Sequence, residues 1–103
     1  MENVKEYLEH INKAFESRVR LGIMSVLMVE DSIDFSTLKE TLQLTDGNLA
    51  SHLRALEDAA YIRVEKQFIG RKPNTRYMAT DEGREAFKNH LDALERLILN
   101  NKP

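Results

Sequence analysis

Between residues 45 and 83 the chain reads TDGNLASHLRALEDAAYIRVEKQFIGRKPNTRYMATDEG, and a change of period inside this stretch constrains the fold more than any other feature. Leu49, Leu53, Leu56 and Ala60 recur at helical spacing and project within about 60° of one another at roughly 100° per residue, so these four are expected to face a core. From Tyr61 the pattern turns to alternation. Tyr61-Ile62-Arg63-Val64 begins a strand that continues to Phe68 and Ile69, Thr75-Arg76-Tyr77-Met78-Ala79 supplies its partner, and Gly70-Arg71-Lys72-Pro73-Asn74 is the connecting turn. A capped helix that runs straight into a charged hairpin implies a small helical domain with an antiparallel sheet at its side.

This stretch resembles the recognition helix and wing of a winged helix-turn-helix transcription regulator of the MarR/ArsR type, in its small single-domain branch. The resemblance rests on DGNL, HL and LE in the helix, on A and YI where it passes into the first strand, and on GR, P, T, Y, T and G through the hairpin and beyond. It implies a mainly α fold with a small antiparallel β-sheet in the order α-α-β-α-α-β-β-α. The whole of 1–103 would be one winged-helix DNA-binding domain with N- and C-terminal dimerisation helices.

The remaining segments suit that order. Val4, Leu8, Ile11 and Phe15 are spaced four, three and four and predict a first amphipathic helix. Ser17 caps a second, RVRLGIMSVLMV, which is apolar on nearly every face after Arg20 and is expected at the centre of the core. Ile33-Asp34-Phe35 is long enough only for a short strand, which the resemblance implies is the third strand of the wing sheet. Ser36 or Thr37 can cap the next helix, Thr37 with Glu40 having capping-box spacing, and Leu38, Leu42 and Leu44 are its apolar side. Thr45 caps the recognition helix, with Asp46 in the first turn where the dipole favours a negative charge. Thr80 caps a last helix of roughly 18 residues, about 27 Å long. Along it Phe87, Leu91, Leu94 and Ile98 form an apolar seam.

The net charge of −2 hides an uneven distribution. Residues 61–80 carry Arg63, Lys66, Arg71, Lys72 and Arg76 against Glu65, a net of +4, whereas 1–35, 36–60 and 81–103 are each net negative. A hairpin that concentrates the positive charge can reach phosphates while a helix enters the major groove. On the recognition helix, 45–60, the candidate DNA contacts are Thr45 through its cap and neighbouring amides, Gly47 through close backbone approach, and Asn48, Ser51, His52 and Arg54 as readers. His52 lies close enough to the apolar face to be a packed or hydrogen-bonded structural histidine instead. Asp58 near the helix C-terminus predicts insertion by the N-terminal end, since a carboxylate beside phosphates repels. In the wing, 61–80, the candidates are Lys66, Arg71, Lys72, Asn74 and Arg76, on the DNA backbone or in the minor groove.

The two terminal seams exceed what a small helix-turn-helix needs. Val4, Leu8, Ile11 and Phe15, with Phe87, Leu91, Leu94 and Ile98, are therefore expected to form a homodimer interface, as the resemblance also implies. A two-fold dimer would set its recognition helices about 34 Å apart and select near-palindromic double-stranded DNA. Nothing is left over to recruit polymerase, so repression by occlusion is the expected action.

Other activities find little support. An enzyme needs converging reactive groups, yet His10, His52 and His90 fall on three separate predicted helices, and neither a nucleophile elbow nor a phosphate loop is present. Without cysteine there is no thiolate zinc site, and His90 near Asp92 and Glu95 reads as a solvated face, so neither metal nor cofactor is expected. MarR-type regulators often hold aromatic ligands, but the few aromatics here already have core or sheet assignments, leaving any small-molecule effector unidentified. The absence of a long apolar run or signal sequence points to a cytoplasmic protein that does not enter the membrane. The alternative of another class is a winged-helix protein–protein interaction module that does not bind DNA, whose signature would be an apolar recognition face.

Overall fold

The structure is a computed structural model in which residues 4–99 are described; 1–3 and 100–103, the ends of the expected 1–103 domain, lie outside. The elements are α1 (Val4–Glu9), a 3-10 turn at Lys13–Phe15, α2 (Arg18–Val29), β1 (Ile33–Asp34), α3 (Phe35–Leu42), α4 (Asp46–Asp58), β2 (Ile62–Ile69), β3 (Lys72–Ala79) and α5 (Asp81–Leu99). The order is the expected one. The three strands form an antiparallel sheet in the order β1-β3-β2, with Ile33 opposite Tyr77 and Ile62 opposite Ala79.

Local chemistry accounts for most boundaries. Ser17 accepts from the Arg20 amide, Thr45 from Asn48 and Thr80 from Gly83, each satisfying a helix-start donor that has no partner within its own helix. The cap of α3 is neither Ser36 nor Thr37. Asp34 Oδ1 accepts from the Thr37 amide at 2.7 Å, and that bond holds the Asp34 carboxyl below the usual aspartate range, with Arg76 also favouring the charged form. A carboxylate at this position satisfies the amide and complements the helix dipole, so it displaces the hydroxyl candidates one turn on.

The first helix also differs from the sequence expectation. It does not continue from Val4 to Phe15 but stops at Glu9, and Asn12 caps the short 3-10 turn by accepting from the Ala14 amide. The break lets Phe15 swing inward, where it is 1% exposed, stacked on Tyr61 with ring centroids 5.2 Å apart and edge-on to Phe87 at 5.2 Å. Around this aromatic group the core collects Ile23, Met24 and Leu27 of α2, Leu38 of α3, Leu49, Leu53 and Leu56 of α4, and Ile33 and Ile62 of the sheet. Ala60 does not join them. It sits past the end of α4, exposed and with φ +65°, where the chain reverses into β2.

The hairpin is tighter than expected. Ile69 pairs with Lys72, leaving only Gly70-Arg71 as the loop, and Pro73 pairs with Phe68 inside the ribbon. Gly70 carries φ +65°, as the first central residue of a hairpin turn of the II′ kind requires. Proline is tolerated in β3 because β1 reaches only Arg76 and Tyr77, so the Pro73 end keeps an open edge.

Gly83 fixes how α5 meets the wing. A Cβ there would lie 2.0 Å from the Tyr61 carbonyl oxygen, which accepts from the Thr80 amide. The radius of gyration is 15.8 Å, against about 13 Å for a compact chain of this length. The principal extents are 59 × 25 × 21 Å, so the molecule is elongated.

Candidate nucleic-acid interface

α4 divides its surface sharply. Leu49, Leu53 and Leu56 are buried, whereas Thr45, Asp46, Gly47, Asn48, Ser51, Arg54 and Asp58 are exposed. A Cβ at Gly47 would meet nothing within 4 Å, so packing does not demand a glycine there. Near the helix start, Asp46 is paired with Lys39 of α3 at 2.7 Å. The exposed pair contributes at most about 1 kcal/mol to stability. Its electrostatic effect is more useful, because it offsets the carboxylate at the end of α4 that the dipole makes attractive to anions.

The wing is set beside this face. Arg54 and Glu57 of α4 and Val64, Lys66, Thr75 and Tyr77 of the sheet line one groove, so Arg54 and Lys66 share it. At the tip Arg71, in the turn, and Lys72, the first residue after it, are exposed, and Phe68 and Ile69 are exposed with them at 74% and 64%. Asn74 is half-buried, with no partner for its Oδ1 among the described residues.

Two sequence candidates are tied to other elements, His52 in the hydrogen-bonded way that the sequence left open. Arg76 does not stand among the outward cations. Its Nε donates to Ser32 Oγ at 2.9 Å and its Nη2 to the Ser32 carbonyl at 3.2 Å, so the guanidinium ties the short β1 strand to β3. His52 is half-buried, and its Nδ1 accepts from Arg20 Nε of α2 at 3.1 Å. Burial first, and the Arg20 charge second, lower its pKa from 6.5. Sequence reasoning missed Arg20, because nothing local signals a bond between residues 32 positions apart.

The proposed dimer seams are split by the core. Phe15 and Phe87, at 1% and 3% exposure, are occupied within the subunit and offer nothing to a partner. α5 instead buries Gly83, Phe87, His90 and Ala93, while Leu91 and Ile98 remain exposed at 44% and 66%, as does Leu8 of α1 at 54%. Val4, Ile11 and Leu94 are half-buried. His90 is not on a solvated face. It is 3% exposed, and its Nδ1 accepts from the Asn12 amide at 3.0 Å. Among the described residues no three His, Asp or Glu side chains gather where a metal ion could be held, and no helix is long and apolar enough to cross a membrane.

Comparison with known proteins gives this geometry its context. An uncharacterized protein of Methanocaldococcus jannaschii is 39% identical over 88 residues, covering 85% of this chain and 96% of the relative. The solved structure of a transcriptional regulator homologue from Pyrococcus horikoshii OT3 is 35% identical, covers all of both chains and superposes with a TM-score of 0.85. A MarR-family transcriptional regulator from Enterococcus faecalis V583 shares the fold at 24% identity and TM-score 0.65, over 95% of this chain and 81% of its own. Residues 19–98 match the model of the winged helix DNA-binding domain, from α2 to the end of α5, and the chain belongs to that family of transcription regulators.

Proposed function

We propose that the protein is a sequence-specific double-stranded DNA-binding transcription regulator that works as a homodimer and represses by occluding its site. The observation that carries this reading is the meeting of two surfaces. The exposed face of α4 is small and polar from Thr45 to Arg54, and the exposed cations Lys66, Arg71 and Lys72 stand on the wing beside it. Asn48, Ser51, His52 and Arg54 would face base edges, Thr45 and Gly47 would let the helix start approach closely, and Arg71 and Lys72, with Asn74 near them, would hold the backbone or enter the minor groove.

The exposed apolar positions Leu8, Leu91 and Ile98 on the terminal helices, with Val4, Ile11 and Leu94 beside them, supply a self-complementary surface for the second subunit. Such a dimer would read a near-palindrome with half-sites about one DNA turn apart.

Fluorescence anisotropy on mixed-sequence duplexes across a salt series tests the reading. Each phosphate that a variant no longer neutralises should reduce the magnitude of the log–log salt slope by about 0.9, so Arg71→Ala/Lys72→Ala should flatten it by roughly 2 per subunit. A folded wild type that binds no duplex at low salt would sink the DNA reading. The exposed pair Phe68 and Ile69 at the wing tip would then direct the search to a protein partner.

A further inference from the structure

Among the residues α4 offers to a groove, His52 is the one whose chemical state another element determines. Arg20 Nε lies 3.1 Å from His52 Nδ1. A guanidinium stays protonated and carries only donors, so Nδ1 must present its lone pair, and the hydrogen of the neutral ring must sit on Nε2. An imidazolium would set one N–H against another. Nε2 itself is neither bonded among the described residues nor among the buried unpartnered atoms, so it remains available to an external acceptor. Asn48, four residues earlier and exposed, lies on the same ridge of the helix.

We propose that Arg20 makes His52 a donor-only reader of the major groove, whose Nε2–H takes a base that offers an acceptor and rejects cytosine at one position of each half-site. The proposal rests on the DNA reading above. In the major groove guanine offers N7 and O6, thymine O4 and adenine N7 as acceptors, whereas cytosine presents only its N4 donor. A histidine free to exchange tautomers could turn an acceptor toward cytosine or adenine. With Arg20 on Nδ1 that option is closed. Asn48, whose amide both donates and accepts, keeps the freedom His52 lacks. Arg20 acts here as a positioning residue, through the ring it holds.

The experiment pairs selection from a random duplex pool with 15N NMR of the histidine ring, for wild type, His52→Ala, Arg20→Met and Arg20→Lys. In the free wild-type protein Nδ1 of His52 should be unprotonated and Nε2 protonated. Arg20→Met should give a mixture of tautomers, and Arg20→Lys should restore the wild-type signature. The wild-type consensus should hold one position per half-site where bases other than cytosine are favoured over it by roughly 2- to 10-fold, the range of one neutral hydrogen bond. That preference should vanish in His52→Ala and weaken in Arg20→Met, with the rest of the consensus unchanged. If His52→Ala folds and selects the same consensus, His52 only fastens α4 to α2 and the inference is overturned, while the DNA reading stands. A ring hydrogen found on Nδ1 overturns it as well. If the wild type enriches no sequence, the DNA reading itself has failed, and this inference with it.

Discussion

The amide of Asn12 donates to Nδ1 of His90 at 3.0 Å across 78 positions of sequence, and the Asn12 side chain donates to the Tyr61 hydroxyl at 2.8 Å. One residue in the α1–α2 connection thus holds both the middle of α5 and the root of the wing. The bond requires a neutral imidazole, because a protonated Nδ1 cannot accept.

Acid should loosen this joint. Burial lowers the His90 pKa from 6.5, with Glu16 opposing, and burial with Arg20 lowers that of His52. In both cases the unfolded chain binds the proton more tightly than the folded one. Their contribution to stability is therefore complete above about pH 6.5 and is lost as pH falls through the lower folded values. Urea unfolding at pH 7.5, 6.5 and 5.5 should show stability falling toward acid. His90→Leu should be less stable at pH 7.5 by about 1–3 kcal/mol, from the unpaired Asn12 amide, and should show a shallower pH slope.

Gly83→Ala should be among the most damaging single substitutions. Its Cβ would sit 2.0 Å from backbone oxygen rather than from a side chain that can turn away. A loss of about 3 kcal/mol is expected, read as a lower urea midpoint. An unchanged midpoint would mean that α5 can slide against Tyr61.

Gly47→Ala should separate folding from binding. The new methyl group meets nothing within 4 Å and removes a poor helix former, so stability should rise by about 0.5–1 kcal/mol. Affinity for DNA should fall, because the methyl group stands where the helix start would approach the duplex. Thermal unfolding and anisotropy on the same preparation decide the matter, and equal or tighter binding would remove Gly47 from the interface.

The apolar residues of the terminal segments should fall into two classes. Leu91→Asp and Ile98→Asp should leave the fold intact and yield monomers by light scattering, with weakened DNA binding. Phe15→Ala should cost about 3–5 kcal/mol whatever the oligomeric state. Dimers persisting in both aspartate variants would place the subunit contact elsewhere.

What the sequence made legible were features whose causes are local. Ser17, Thr45 and Thr80 cap their helices through bonds reaching three residues, and Leu49, Leu53 and Leu56 declare one face by spacing alone. The exposed polar side of α4 and the cationic turn could be read in the same way. What stayed hidden depends on distant partners. Phe15 looked like one more step in the Val4–Leu8–Ile11 seam, since the turn that carries it inward serves Tyr61 and Phe87, far along the chain. Arg76 looked like one more wing cation, because nothing near it announces Ser32. Asp34 was within reach of a local reading, standing three residues before Thr37, but its place in a short strand disguised it as a pairing residue.

The outward face of α4 owes almost nothing to the rest of the molecule. Gly47, Asn48, Ser51 and Arg54 are exposed, and the core beneath is closed by three leucines that none of them replaces. Substitutions there should change stability by no more than about 1 kcal/mol each. Selection can therefore rewrite these letters without renegotiating the fold. The same frame could be readdressed to a new binding site by a handful of point mutations, with His52 the slowest to follow because Arg20 would have to change with it.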